Sequence, residues 1–497
     1  MIKTISLQTD NDNDKDFKFT LFGKCQNLNK DKRVLEIGAP AKSYNLLISD
    51  GTLKTGYGIE DLSMPESEDN LDYESKINVR GSEVKTIWKL KWYDVNKEAN
   101  NYYLFYFNDE NDICFDNMFE PRIATFIIEN TFTDTPYATY YRKNGQDAIL
   151  LSGEGSNLMV ITGQQSLTSE TAPKIINCCS HYGKLFAITA KERGVLVYND
   201  DLDVLAWSDE KTKDLDFSDD RGDLNKIVSL GNSLFVFRDF GITKITQNDN
   251  TGEFDISHIY QSCSYIVPSS IAQAEGKIYF LEGECLKEFN GSKVGQLNFE
   301  CQKYLKGISQ RYAYGACIDG KYFLACRGDF KDEHVVGCEG YSGGYKNNML
   351  FVYDISKNTV DILRGVDINE MLAFTNVHKS KLILCFNNEN IGRLGQLSFD
   401  GQVFGEKVDS YWESGTTDFS MPGKVKRIKS FSIQSEGDCK VTISSDQEKK
   451  SFAVKGKTEV QKLNANILGK QFDVKIEVSG SEKVNISELT LTVSARQ

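Results

Sequence analysis

The chain has 497 residues, of which 40% are hydrophobic, 11% aromatic and only 7 are proline, and its formal charge is −13. That length allows roughly two to four domains, and the wealth of Phe and Tyr suits β-rich globular structure and excludes disorder or a helical bundle. The acidic balance excludes a protein that holds nucleic acid by neutralising phosphates, while leaving open a surface past which nucleic acid slides without sticking.

Met1-Ile2-Lys3-Thr4 leads into alternating and then acidic residues. No apolar core of signal-peptide length follows and no apolar run is long enough to span a membrane, so synthesis in a cytoplasm is expected, with no membrane segment. Residues 1–45 carry the acidic DNDNDKD and the strand-like FKFTLFG and are expected to form an arm or strand donor. Asp10, Asp12 and Asp14 have the spacing of a calcium loop, but Lys15 stands where the turn glycine belongs and Leu21 where the closing glutamate belongs, so no metal site is read there.

Over residues 46–405 one phrase recurs, a polar Gly or Lys turn followed by a short apolar run: NYYLFYF, DAILLSG, YGKLFAI, GNSLFVF, EGKIYFL, DGKYFLA and KSKLILCF. The intervals lie mostly near the roughly 40–50 residues that four short antiparallel strands require. Several copies are followed by a second run, such as GVLVYNDD, GITKITQ or MLFVYDIS, which is the signal of a β-hairpin. Such a sheet has two apolar faces and hides both only by stacking on copies of itself, so an all-β fold with a propeller of six or seven blades is expected.

Within this region, VLAWS is read as closing one blade's outer strands and LNKIVSL as beginning the next blade's inner strand, with the acidic segment between them anchored by Phe217. Trp207 is read as a packing residue at a blade rim and not as a ligand platform. The long Gly- and Tyr-rich stretch GDFKDEHVVGCEGYSGGYKNN, residues 328–348, lies where a blade insertion projects, and Glu339, Tyr341 and Tyr345 are candidate partner contacts.

From residue 406 to 497 the runs lengthen and alternate cleanly, as in KRIKSFSIQSE, CKVTISSD and QFDVKIEVSG. One apolar and one polar face per strand predicts a separate antiparallel β-sandwich, jelly-roll-like.

No catalytic constellation stands out. The 12 cysteines show no CxxC spacing and the 4 histidines are far apart, so most thiols are read as small reduced core residues. SGEGSNLMVITG lacks the Lys-Ser/Thr of a phosphate loop. Propeller glycosidases carry acids on their inner strands, whereas the phrases read here as inner strands, KLFAI, SLFVF, KIYFL and KYFLA, hold no carboxylate. No enzyme, no cofactor and no metal are expected.

The order WSDEKTKDLDFSDDRGDLNKIVSLGNSLFVFRDFGITKI, a long propeller and then YWESGTTDFSMPGKVKRIKSFSIQSEGDCKVTISSD resembles the tail nozzle or packaged-DNA stabilisation proteins of tailed bacteriophages. The matching positions are Trp207, Ser208 and Phe217 in the first phrase and Trp412, Phe419 and Pro422 in the second, and the resemblance covers about residues 180–490. It implies a structural virion protein in the tail, a homo-oligomeric ring commonly of six copies below the portal and adaptor, through whose lumen DNA passes without specific binding. A receptor- or carbohydrate-binding tail protein is the alternative, and a propeller glycosidase a more distant one.

Overall fold

The computed structural model describes all residues except 1–5, 9–13, 20–39, 50, 65–76, 95–97, 119–125, 130, 144, 154–155, 164, 209–211, 249, 298–303, 330–345, 376–378, 387–392, 479–482 and 496–497. Seven sheets of four or more strands follow one another, with innermost strands Val84–Asp94, Tyr137–Lys143, Ile175–His181, Leu224–Leu230, Ala272–Ala274, Tyr314–Ile318 and Ile368–Thr375. We number these blades 1 to 7 in that order. Seven apolar clusters separate them, one between each consecutive pair and one between blades 7 and 1, so the ring is closed.

That packing explains the recurring phrase. Lys184–Thr189, Ser233–Arg238, Lys277–Glu282 and Lys321–Cys326 are second strands, each buried along its length after the first residue because a neighbouring blade covers each face. A strand covered on both sides reads as an unbroken apolar run and not as an alternation. The turns that precede three of them hold two consecutive left-handed residues, Tyr182-Gly183, Glu275-Gly276 and Asp319-Gly320, the geometry of a tight hairpin turn.

The innermost strands are a different set from those expected. KLFAI and its equivalents are second strands, and the strands that line the axis carry polar residues such as Asn177, Lys226 and Glu370. Each of these three follows a register irregularity in its strand and reaches across to the next blade. Asn177 Oδ1 accepts from the Ile227 N–H at 2.8 Å, Lys226 Nζ donates to the Ile271 carbonyl at 2.7 Å, and Glu370 Oε2 accepts from the Ile87 N–H at 2.9 Å. A bulge thus re-aims one side chain per strand to tie neighbouring inner edges together.

Ring closure uses a strand from the other end of the chain. Gly58–Asp61 pairs antiparallel with Arg393–Ser398 and completes blade 7, joining Tyr57 and Ile59 to the core between blades 6 and 7.

The sandwich has two antiparallel sheets sharing one core that includes Trp412, Phe431, Ile443, Ile467 and Ile476. One sheet orders Ser6–Gln8, Asp14–Phe19, Asn485–Ala495, Lys426–Glu436 and Lys457–Gly469, and the hairpin Leu46–Ser49/Thr52–Thr55 adds to Asn485–Ala495. The other orders Pro40–Tyr44, Ser410–Ser414, Phe472–Val478, Cys439–Ser445 and Lys449–Val454. The expected boundaries at 45 and 405 shift, the second because Glu406–Lys407 pairs with Gln402–Val403 on the blade 7 sheet. Residues 46–55 belong to the sandwich, because their apolar side chains Leu46 and Leu53 complete its core and not a blade.

Asn45 is the joint between the two units. It is buried, holds a left-handed backbone (φ 59°), accepts from the Arg364 N–H at 2.7 Å and donates to the Asp409 carbonyl at 2.8 Å. Asn tolerates that conformation better than most residues. Tyr44 stacks on Tyr411 at 5.3 Å, with the Arg364 guanidinium 4.4 Å from the Tyr44 ring centre.

Candidate functional site

The loops that lead from one blade's outermost strand to the next blade's innermost strand all emerge on one face of the propeller, here called the upper face. The turns between second and third strands emerge there too, so this face is where loops of different blades meet.

Residues 328–348 connect the second and third strands of blade 6. Glu339, Tyr341 and Tyr345 lie outside the described residues, but the stem of their loop does not. The Gly328 N–H donates to Asn348 Oδ1 at 2.7 Å, and Asn348 Nδ2 returns a bond to the Gly328 carbonyl at 3.1 Å. Asn347 Nδ2 donates to the Tyr312 and Ile368 carbonyls at 2.8 and 2.7 Å, while Asp367 Oδ1 accepts from the Lys346 and Asn347 N–H groups. Gln310 braces the other side, donating to the Arg327 carbonyl at 2.8 Å and accepting from its N–H at 3.0 Å. Buried amide side chains therefore do the work of a ladder where the two strands part, and they fix the point from which the loop departs.

Beside this stem stand aromatic side chains that local pattern did not single out. Tyr312 is 57% exposed and carries Lys346 Nζ 5.7 Å from its ring centre. Phe240, at the tip of a blade 4 turn, meets Tyr265 of the blade 4–5 connection edge-on at 6.4 Å, and both are exposed. Their only sequence signal is an aromatic in a polar connection where no alternation accounts for it.

The acidic segment that crosses the upper face is folded by cations. Arg238, fully buried, donates to the Phe217 and Gly222 carbonyls at 2.5 and 2.8 Å and places Nη1 2.7 Å from Asp219 Oδ1. Arg221 Nη1 lies 3.0 Å from the other Asp219 oxygen. Burial pushes the Asp219 carboxyl up, but the Arg221 N–H and the Arg238 guanidinium outweigh it and hold the group below its usual range. Asp220 remains exposed to solvent beside them.

The remaining predicted residues are structural. Val204–Ala206 is a short 3-10 turn and not a strand, and the fourth strand of blade 3 is Lys213–Asp216, inside the acidic segment. The Asp203 carboxylate caps that turn by accepting from the Leu205 N–H, which is why VLAWS leaves the sheet. Trp207 is fully buried between blades 2 and 3 and donates from Nε1 to the Asp201 carbonyl at 2.8 Å, and the Ser208 carbonyl accepts from the Thr212 N–H at 3.3 Å. Phe217 is buried between blades 3 and 4. Trp412 and Phe419 sit in the sandwich core, Phe419 against Phe472 at 5.5 Å, and Pro422 is exposed in the turn that follows.

Glu370 and Asp94, the last residue of its strand, are the carboxylates of the described innermost strands. Burial pushes the Glu370 carboxyl up to about 7, and Thr86 Oγ1 donates to it at 2.8 Å. Among the described residues no group of three His, Cys, Asp or Glu side chains comes together as a metal site, and no helix is long and apolar enough to cross a membrane.

These features define a seven-bladed β-propeller joined to a sandwich that both ends of the chain build. No family model and no curated protein matches the sequence. Among solved structures, the chain is similar to BBS1N in complex with ARL6DN, soaked with mercury, at 11% identity and TM-score 0.41 over 65% of this chain and 94% of that one. It is also similar to the Neurospora crassa Pan2 WD40 domain, at 9% identity and TM-score 0.39 over 69% of this chain and 95% of that one.

Proposed function

We propose that this chain is a structural protein of a tailed-phage virion, one copy of a homo-oligomeric ring in the tail around the DNA exit path. In this reading it works by contact and not by catalysis. The sequence resemblance supplies the class, and one observation supports a contact role: the stem at Gly328 and Asn348 is fixed by buried amides beside exposed Tyr312. A rigid base under a long loop is the arrangement by which partners are met, since the scaffold bears the ordering cost before binding. Glu370 on an innermost strand is already engaged by Thr86 and Ile87, which does not suit a free acid of glycoside hydrolysis.

Deleting residues 330–345, with Gly328 and the stem residues Lys346, Asn347 and Asn348 retained, tests the reading. The expected product is a folded protein with an unchanged melting temperature that fails to enter particles. Normal incorporation of the deletion sinks the loop's role, and absence of the intact chain from purified particles sinks the virion role. Exposed Phe240, Tyr265 and Tyr312 near carboxylates also suit stacking on sugars, the receptor-binding reading. Specific signals on a glycan array that vanish in Tyr312→Ala would favour it over the ring.

A further inference from the structure

On the opposite, lower face the channel opens into a hollow of about 490 Å³ between the innermost strands of blades 7, 1 and 2. In a chain of net charge −13, this hollow gathers Lys89, Lys91 and Arg142 against a single carboxylate, Asp147. Lys91 and Arg142 are exposed, with Arg142 Nε 3.3 Å from Asp147 Oδ1. Lys89 is drawn inward and donates to the Ala373 carbonyl at 2.5 Å, an acceptor without charge. Tyr140, 44% exposed, accepts the Lys89 N–H at 3.2 Å, which leaves its own O–H free to donate into the hollow. Burial lowers the pKa of the Lys89 ammonium. The ring of Tyr102 lines the hollow, with Lys91 Nζ 5.9 Å from its centre, and Phe374 backs it from the core between blades 7 and 1.

We propose that this hollow binds a ligand that presents a carboxylate or phosphate on a flat apolar body. Three cations and a hydroxyl line the hollow beside the Tyr102 ring, so an anion finds charge-assisted donors while its apolar body lies against that ring. The same chemistry is offered by a free aromatic acid or by an acidic side chain beside an aromatic in a partner chain. The inference stands apart from the ring proposal, because it concerns the other face of the propeller.

Calorimetric titration of the full-length protein with 3-phenylpropionate, phenyl phosphate, neutral 3-phenylpropionamide and the peptide N-acetyl-Gly-Phe-Glu-Gly-amide tests it. The two small anions are expected to bind at least tenfold more tightly than the amide. Lys91→Glu with Arg142→Glu is expected to abolish that binding without lowering the melting temperature, since both side chains are exposed. Tighter binding of the peptide than of the small anions assigns the ligand to a partner chain, and the reverse order to a free acid. Equal binding of acid and amide, no binding of any probe, or binding unchanged in the double variant overturns the proposal.

Discussion

The propeller and the sandwich treat the edges of their sheets in opposite ways. In the propeller every blade face is covered by a neighbour, and the ring is completed by one short strand, Gly58–Asp61, brought from the far end of the chain. The sandwich ends in open edges, Lys449–Val454 on one sheet and Lys457–Gly469 on the other, and both begin with lysines, which discourage chance pairing. The propeller follows chain order, so damage within it falls between two blades. The sandwich is assembled from residues 6–55 and 410–495, so damage at either end of the chain reaches one shared core.

Truncation breaks this comparison most severely. Removing residues 1–61 strips the closing strand from blade 7 and Leu46 and Leu53 from the sandwich, and the product is expected to show no cooperative melting by circular dichroism. Among the described residues, removing residues 1–39 takes away Ser6–Gln8 and Asp14–Phe19 and is expected to leave a folded protein with a lower melting temperature. Equal behaviour of the two would show that Gly58–Asp61 does not hold the ring.

Next in size are the two buried tryptophans. Trp412→Ala and Trp207→Ala each leave a large cavity, expected to cost about 3–5 kcal/mol. In urea, Trp412→Ala should separate an early sandwich transition from a later propeller one. Trp207→Ala should lower the propeller transition, because its side chain fills the space between blades 2 and 3.

The smallest effect concerns pH. Burial pushes Glu370 from the usual 4.5 up to about 7 and Asp361 from 3.8 to about 7. Between those values the folded chain keeps protons that the unfolded chain has lost, so stability falls as pH rises from about 4 to 7 and then levels. Glu370→Gln cannot ionise, and its stability should decline less steeply across that window, with the Asp361 share remaining. An identical slope in the variant would remove Glu370 from the titration.

What the sequence reveals follows from which faces are covered. The second strands are legible because two neighbours bury them, giving KLFAI and KIYFL. The innermost strands are not, since INCCSH and AQA carry polar or small residues and the first breaks register at a bulge. Gly58–Asp61 pairs with residues more than three hundred positions away, and no local period carries that information. The sandwich is legible as clean alternation, yet Leu46–Ser49 carries three apolar residues in a row and fits either unit. At the contact face the loop's limits at Gly328 and Asn348 show as composition, whereas Phe240, Tyr265 and Tyr312 matter only through neighbours that the fold supplies.

Native mass spectrometry of the purified full-length chain, together with equilibrium titration against duplex DNA at low salt, tests the ring most directly. The account predicts a closed oligomer of identical copies, commonly six, and no measurable DNA affinity even where phosphate contacts are strongest. A monomer at every concentration, both alone and mixed with portal and adaptor, or tight binding of duplex DNA, would contradict it.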